Sequence, residues 1–291
     1  MKNLFTIILL ILTGLVSLNA QNFTRQIFDD KTKQPIPYVN IGIPSKGFAT
    51  VSDESGNFSI MLDDKYNNDS LRISMIGYKP IYFKIHADKN QFGNISPKLY
   101  MNENSYEINE AVKRPINYKT TIVGNKDIGE PCLSFIGDTS KSNRIYEIGT
   151  LITIKKQPTF IDNIKFGVCH NDFDNITIRV NIYTKTNENI LKHPIYVTVK
   201  KKDKVVTIDT KKYDIKVEDD FIIALEIIQS NDGKGKTIGN KFSFSGGFFG
   251  SDMLTRKSIY DKWKKMPFVV VGFNATIIYE YKGNWVTNIF R

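Results

Sequence analysis

The sequence predicts an all-β protein built from two sandwiches, a small Greek-key β-sandwich followed by a larger, jelly-roll-like one. Three observations carry this. Apolar residues recur at every second position in short runs, which is the period of a half-buried strand. Residues that favour strands are plentiful, with 14 Tyr and 19 Phe among 291 residues and Ile and Val recurring throughout. Clusters of Gly, Asn and Asp punctuate the runs, and no window repeats its apolar residues with a convincing helical period. A hydrophobic content of 41% suits a folded chain rather than a disordered one.

The chain opens on a different kind of segment. Met1-Lys2-Asn3 is basic, Leu4 to Val16 is apolar apart from Thr6, Thr13 and Gly14, and Ser17-Leu18-Asn19-Ala20 ends in small residues. This predicts a secretory signal peptide over 1–20 cleaved after Ala20, since the apolar run is shorter than the roughly 20 residues a span needs. No Cys near Ala20 could take a lipid, and no transmembrane segment is expected in the mature chain. The destination is periplasm, cell surface or medium.

Charge is uneven. Residues 21–112 carry 10 basic and 11 acidic side chains, and residues 113–291 carry 29 and 19. The lysines of the second half, such as Lys200-Lys201-Lys202 and Lys264-Lys265, sit near acids and read as solvated turns. Export makes nucleic acid an improbable partner, although an anionic surface polymer would suit the excess.

The first domain is expected over 21–103. Strands are read at Val39 to Ile43, Phe58 to Leu62, Leu71 to Met75 and Ile81 to Ile85, with turns at Asp29-Asp30-Lys31, Asp53-Glu54-Ser55-Gly56-Asn57 and Asp63-Asp64-Lys65. Asp53 to Gly56 closes a hairpin in which Gly56 takes positive φ, Phe58 anchors the returning strand, and Gly77-Tyr78 bends a strand end so that the ring crosses the sandwich edge.

The runs Lys33 to Ile41, Gly47 to Phe58 and Ile76-Gly77-Tyr78, in that order, resemble the carboxypeptidase regulatory-like domain, a transthyretin-like sandwich, over residues 22–100. Ser52-Asp53 stands where the family usually has Thr-Asp. The resemblance implies a module that accompanies a peptidase or transporter and is not itself catalytic. His86, with no metal-ligating neighbours, is read as an exposed strand-end residue. Asn104 to Val112 resembles the strand that follows this module in TonB-dependent outer-membrane receptors. The remaining 180 or so residues are too few for their large barrel, so the transporter is set aside.

A linking strand and linker are expected over 104–128, the larger sandwich over 129–283 and a tail over 284–291. Within the second sandwich Ile164, Phe166 and Val168 share one face of a strand. Ile176, Ile178, Val180 and Ile182 point inward from the next, with Thr177, Arg179, Asn181 and Tyr183 outward. The ending from Trp263 to Ile277 is faintly similar to jelly-roll binding domains.

No catalytic residue is assigned and no cofactor is called for: the sequence has neither a G-x-S-x-G elbow nor H-E-x-x-H. Cys169 and His170 are strand neighbours on opposite faces and cannot work as a thiol–imidazole pair. Cys132 and Cys169 can be bridged in an oxidising compartment, or Cys169 is strand filler. Asp172 and Asp174 are the only metal candidates, spaced to help hold calcium, with an Asp/Asn-rich hairpin as the plainer reading. Ser230 to Lys236 is a surface loop. Phe242, Phe244, Phe248, Phe249, Tyr260 and Trp263 cluster around Gly246-Gly247 and Gly250 and supply ligand-contact candidates, Phe248, Phe249, Tyr260 and Trp263, with Arg256, Asp252 or Lys257 to orient a sugar; core packing is the competing reading for the whole cluster, since strand aromatics mostly point inward. The expectation is an exported, non-enzymatic cell-envelope protein whose second sandwich binds a protein or glycan. The alternative is an accessory subunit or divergent hydrolase using two of Glu218, Asp219, Asp220 and Glu226.

Overall fold

A computed structural model describes residues 21–281 except 45, 86–94, 105–113, 127–131, 138–146, 156, 232–240 and 249, with the backbone alone at 21 and 133–137. The expected signal peptide, His86, Phe249 and most of the 230–236 loop lie outside the described residues. Among those described there is no α-helix.

Among the described residues the first module has seven strands: β1 (Gln21–Asp29), β2 (Asn40–Ile43), β3 (Phe48–Val51), β4 (Asn57–Leu62), β5 (Ser70–Ser74), β6 (Ile81–Lys84) and β7 (Lys98–Met101). They form a three-stranded sheet, β4-β1-β7, and a four-stranded sheet, β3-β2-β5-β6. Strand β4 alternates exposed and buried residues, so Phe58, Ile60 and Leu62 face Ile41, Leu71 and Ile73 across a single core.

The regulatory-type cues have the expected geometry. The Asp53 carboxylate accepts from the backbone N–H groups of Ser55 and Asn57 at 2.9 and 2.8 Å and fixes the turn. Gly56 has φ +76°, and a Cβ there would lie 2.5 Å from the Ile27 carbonyl oxygen, so only glycine fits. Gly77 has φ +88°, and the turn aims Tyr78 back so that its hydroxyl donates to Asp29 at 2.9 Å. The Thr32 amide above all holds the Asp29 carboxyl below its ordinary range; burial opposes this and Tyr78 assists it. Burial and Asp29 in turn push the Tyr78 hydroxyl up to about 12.

The second module holds the remaining strands. A six-stranded sheet runs β13 (Ile195–Lys200), β12 (Asn175–Thr184), β16 (Phe221–Asn231), β10 (Glu147–Ile152), β18 (Met253–Arg256), β19 (Lys264–Met266). An eight-stranded sheet runs β20 (Val269–Val271), β17 (Lys241–Phe248), β11 (Thr159–Asn171), β21 (Phe273–Glu280), β8 (Tyr118–Gly124); β14 (Val205–Asp209) and β15 (Lys216–Val217) also pair with β11, and β9 (Cys132–Gly137) with β17. The two sheets enclose one core, at whose centre Phe166, Phe244 and Phe273 meet edge to face with centroids 5.1–6.2 Å apart.

Two expectations need correcting. The linker read through residue 128 contains a strand: Tyr118 to Gly124 pairs with β21 residue for residue, and Arg114 just before it binds Asp162, Asp214 and the Lys211 carbonyl. Pro115, Asn117 and Gly124 mark the ends of this element rather than a break across it. The outward face of β12 is also not solvated. Arg179, Asn181 and Tyr183 are as buried as the inward isoleucines, because the first module and the β18 end of the sheet cover them.

Cys132 and Cys169 are bridged, across 37 residues, with Cα atoms 5.5 Å apart. Closing a loop of that length in the unfolded chain stabilises the fold by about 3–4 kcal/mol in the chain-entropy account.

Reduction with excess dithiothreitol is therefore expected to lower the urea unfolding free energy by about 2–4 kcal/mol without a change in far-UV circular dichroism. For Asp29, whose folded carboxyl is depressed, the stabilisation is complete above the ordinary carboxylate range and is lost as pH falls through the folded value. Asp29→Asn should accordingly cost about 1–2 kcal/mol at pH 7 and progressively less below about pH 4, read from urea titrations at each pH.

Candidate functional site

The face of the six-stranded sheet turned from its core carries charge. Strand register sets Glu147 opposite Glu226, Glu226 opposite Arg179, and Glu147 opposite Arg256. All four side chains are 0–1% exposed. Two carboxylates side by side in a dry interior would be prohibitive unless neutralised, and each has its own arginine. Arg179 donates to Glu226 through Nε at 2.9 Å and Nη2 at 2.7 Å. Arg256 donates to Glu147 through Nε at 2.5 Å.

Asn181, between them, donates to Glu147 at 2.7 Å and Glu226 at 3.3 Å. Tyr183 donates its hydroxyl to Glu147 at 2.9 Å. Burial raises the Glu147 carboxyl; Arg256 opposes the rise and the Glu226 charge adds to it. Burial also raises Tyr183 well above the ordinary phenol range, with Glu147 beside it. The guanidinium of Arg256 lies 4.1 Å from the Trp263 ring centroid and 4.7 Å from that of Tyr183. All four charged groups are buried, and Glu226 Oε1 is left without a hydrogen-bond partner.

Arg179 reaches beyond the quartet into the first module. Its Nη1 donates to the Tyr38 carbonyl at 2.8 Å and its Nη2 to Asn40 Oδ1. Beside it Tyr260 lies against the four-stranded sheet over Gly42, where a Cβ would meet the ring at 2.7 Å. Carbonyl oxygens only accept, so the Tyr260 hydroxyl donates to those of Asn40 and Arg72, at 3.1 and 3.2 Å, and accepts from Ser74 at 2.8 Å. Tyr38 packs edge-on to Tyr196 and shares its hydroxyl with Glu54 and Gln229. These contacts leave a cleft of about 330 Å³ between the modules, lined among others by Asn40, Arg72, Ser74, Tyr78, Asn187 and Tyr260.

The sequence-derived candidates are scattered. Tyr260 and Arg256 are buried in the junction and the quartet, so neither sits on a sugar-stacking rim. Trp263 is half-buried, donating to Asn187 at 2.9 Å. Phe248 is exposed on the other sheet, 60% accessible, and Phe249 lies outside the described residues. Phe242 and Phe244 are core. Asp172 caps the Lys241 amide at 2.8 Å and binds His170, and no cluster of three metal-ligating side chains exists among the described residues. Glu218, Asp219 and Asp220 pair with Lys216 and Lys185 just before β16 begins, roughly 20 Å or more along the chain from Glu226.

The three motif runs, the two-sheet Greek-key module and the Asp53, Gly56, Phe58 and Gly77-Tyr78 geometry agree with a family model that matches residues 24–112, described as the CarboxypepD_reg-like domain. The N-terminal module is a carboxypeptidase regulatory-like domain. No curated protein matches the chain. Among solved structures it is similar to a clostridial cysteine protease, Cwp84, after propeptide cleavage, at 9% identity and a TM-score of 0.37, over 91% of this chain and 71% of that one. It is also similar to the cysteine protease and lectin-like domains of Cwp84, a surface layer associated protein of Clostridium difficile, at 7% identity and a TM-score of 0.36, over 92% and 60%.

The junction that ties the regulatory-like domain to the second sandwich was not among the sequence-derived sites. In sequence, Arg179 alternates with Thr177, Asn181 and Tyr183 as an ordinary polar face would, so the sequence carried no signal of its burial.

Replacing Arg179 by Met leaves Glu226 buried without its counter-ion and also removes two bonds to the regulatory-like domain. Arg179→Met is expected to destabilise the chain by about 3–5 kcal/mol, and the double variant Arg179→Met, Glu226→Gln by clearly less, measured by urea unfolding.

Proposed function

We propose that the chain is an exported, non-enzymatic cell-envelope protein in which the regulatory-like domain is the scaffold and the second sandwich engages a protein or glycan partner. The observation that carries this reading is the junction itself. Arg179 and Tyr260 lock the sandwich onto the regulatory-like domain, so the cleft between them is preformed, and a binding protein gains affinity when its site needs no ordering. The residue types that would carry hydrolysis support it as well, because Glu147 and Glu226 are each buried against an arginine. The segment before Gln21 has the composition of an export signal, and an exported chain meets envelope polymers.

Cell fractionation with N-terminal sequencing of the mature protein is expected to recover a chain beginning at Gln21 outside the cytoplasm. The purified mature chain is expected to be retained on isolated envelopes and to turn over neither peptides nor glycans. Retention in the cytoplasm overturns the export reading. Defined turnover of peptides or glycans would replace the binding role with the hydrolase alternative.

A further inference from the structure

The cleft between the modules has an unbalanced hydrogen-bond inventory. Arg72, on β5, lines it. Its Nε is buried and unpartnered, and no carboxylate among the described residues pairs with its guanidinium. Its guanidinium carbon lies instead near two rings, 5.6 Å from the Tyr260 centroid and 5.8 Å from that of Tyr82. Two asparagines line the same space with their oxygens already hydrogen-bonded. Asn40 Oδ1 accepts from Arg179, and Asn187 Oδ1 accepts from Arg256 and Trp263 at 2.9 Å each. Guanidinium and indole groups only donate, so these bonds fix both amides with the oxygen toward the arginine and leave Nδ2 as the group each can offer. The cleft therefore presents a fork-shaped cation and amide N–H groups, with two bonds already on the Asn187 oxygen and one on the Asn40 oxygen.

We propose that this cleft binds a small carboxylate-bearing ligand, with Arg72 as its anchor and Asn40 and Asn187 as supporting donors. A guanidinium matches a carboxylate through two parallel N–H···O bonds, and Arg72 sits within cation–π range of Tyr82 and Tyr260. The Arg72 guanidinium can balance one negative charge, and the exposed Glu188 at the cleft disfavours any charge beyond that. A phosphate monoester, at about −1.5 to −2, would be left under-neutralised. The volume of about 330 Å³ is at the small end of ligand pockets, enough for a uronic acid residue or the last residues of a peptide. Both offer the same carboxylate.

This proposal rests on the binding-protein reading and names its site. It is tested on the purified mature chain, without envelopes, by isothermal titration at low ionic strength. The probes are glucuronate with glucose as its neutral counterpart, N-acetyl-Ala-Ala with its C-terminal amide, and inorganic phosphate. One carboxylate probe is expected to bind while its neutral counterpart does not, and the winning probe tells sugar from peptide. Arg72→Gln is expected to weaken that binding at least tenfold with little change in the thermal midpoint. Arg72→Lys keeps the charge, loses the fork and should fall between; it carries the comparison if the Gln variant does not fold. No binding of either carboxylate at millimolar concentration, equal binding of the neutral counterparts, stronger binding of phosphate, or binding untouched by both Arg72 substitutions overturns the proposal. Envelope retention that survives Arg72→Gln while no carboxylate probe binds leaves the envelope role standing and removes this site from it.

Discussion

Everything between the two sandwiches depends on a neutral quartet of buried charges. Glu147 and Glu226 face each other across neighbouring strands, and a dry sheet surface tolerates them only because Arg256 and Arg179 are seated against them. Such a quartet contributes little net stability compared with apolar packing, since desolvating four ions offsets most of their attraction. Its value lies in geometry. The arginines must occupy fixed positions, and Arg179, once fixed, has donors left over that reach the Tyr38 carbonyl and Asn40 in the neighbouring module.

The second element of the junction is steric. Gly42 removes the side chain that would occupy the space of the Tyr260 ring, and β2 is consequently buried on both faces. Apolar packing completes the seam from both sides. Ile76 of the first module packs against the second core, and Tyr196 of the second packs against the first. Charge, hydroxyl bonding and apolar contact thus converge on a small area, with the cleft at its margin.

The all-β architecture and the first module were readable in the sequence because both rest on local signals. Alternation in Phe58 to Leu62 and the demand for positive φ at Gly56 and Gly77 act within a few residues. The bridge between Cys132 and Cys169 stayed open in the sequence, since pairing depends on a strand neighbourhood set by β17. The site itself was mostly hidden. Glu226 stood out only as one of several carboxylates, and Glu147 gave no signal, because their partnership comes from register between strands about eighty residues apart in sequence. Tyr260 and Arg256 drew notice for the right chemistry in the wrong place: aromatic and cationic groups suggest a ligand rim, whereas here they serve the interior. The strand at Tyr118 to Gly124 was missed because its side chains are largely exposed and its breakers sit at its ends.

Gly42 has a consequence for how the molecule comes apart. Were the modules to separate, the four-stranded sheet would show a bare groove with the carbonyls of Asn40 and Arg72 open to water, and the other body would show an unsupported phenol and an arginine with half its bonds undone. Neither surface is suited to solvent. The two sandwiches are therefore two folds and one cooperative unit, and the seam between them is a continuation of the interior rather than a hinge.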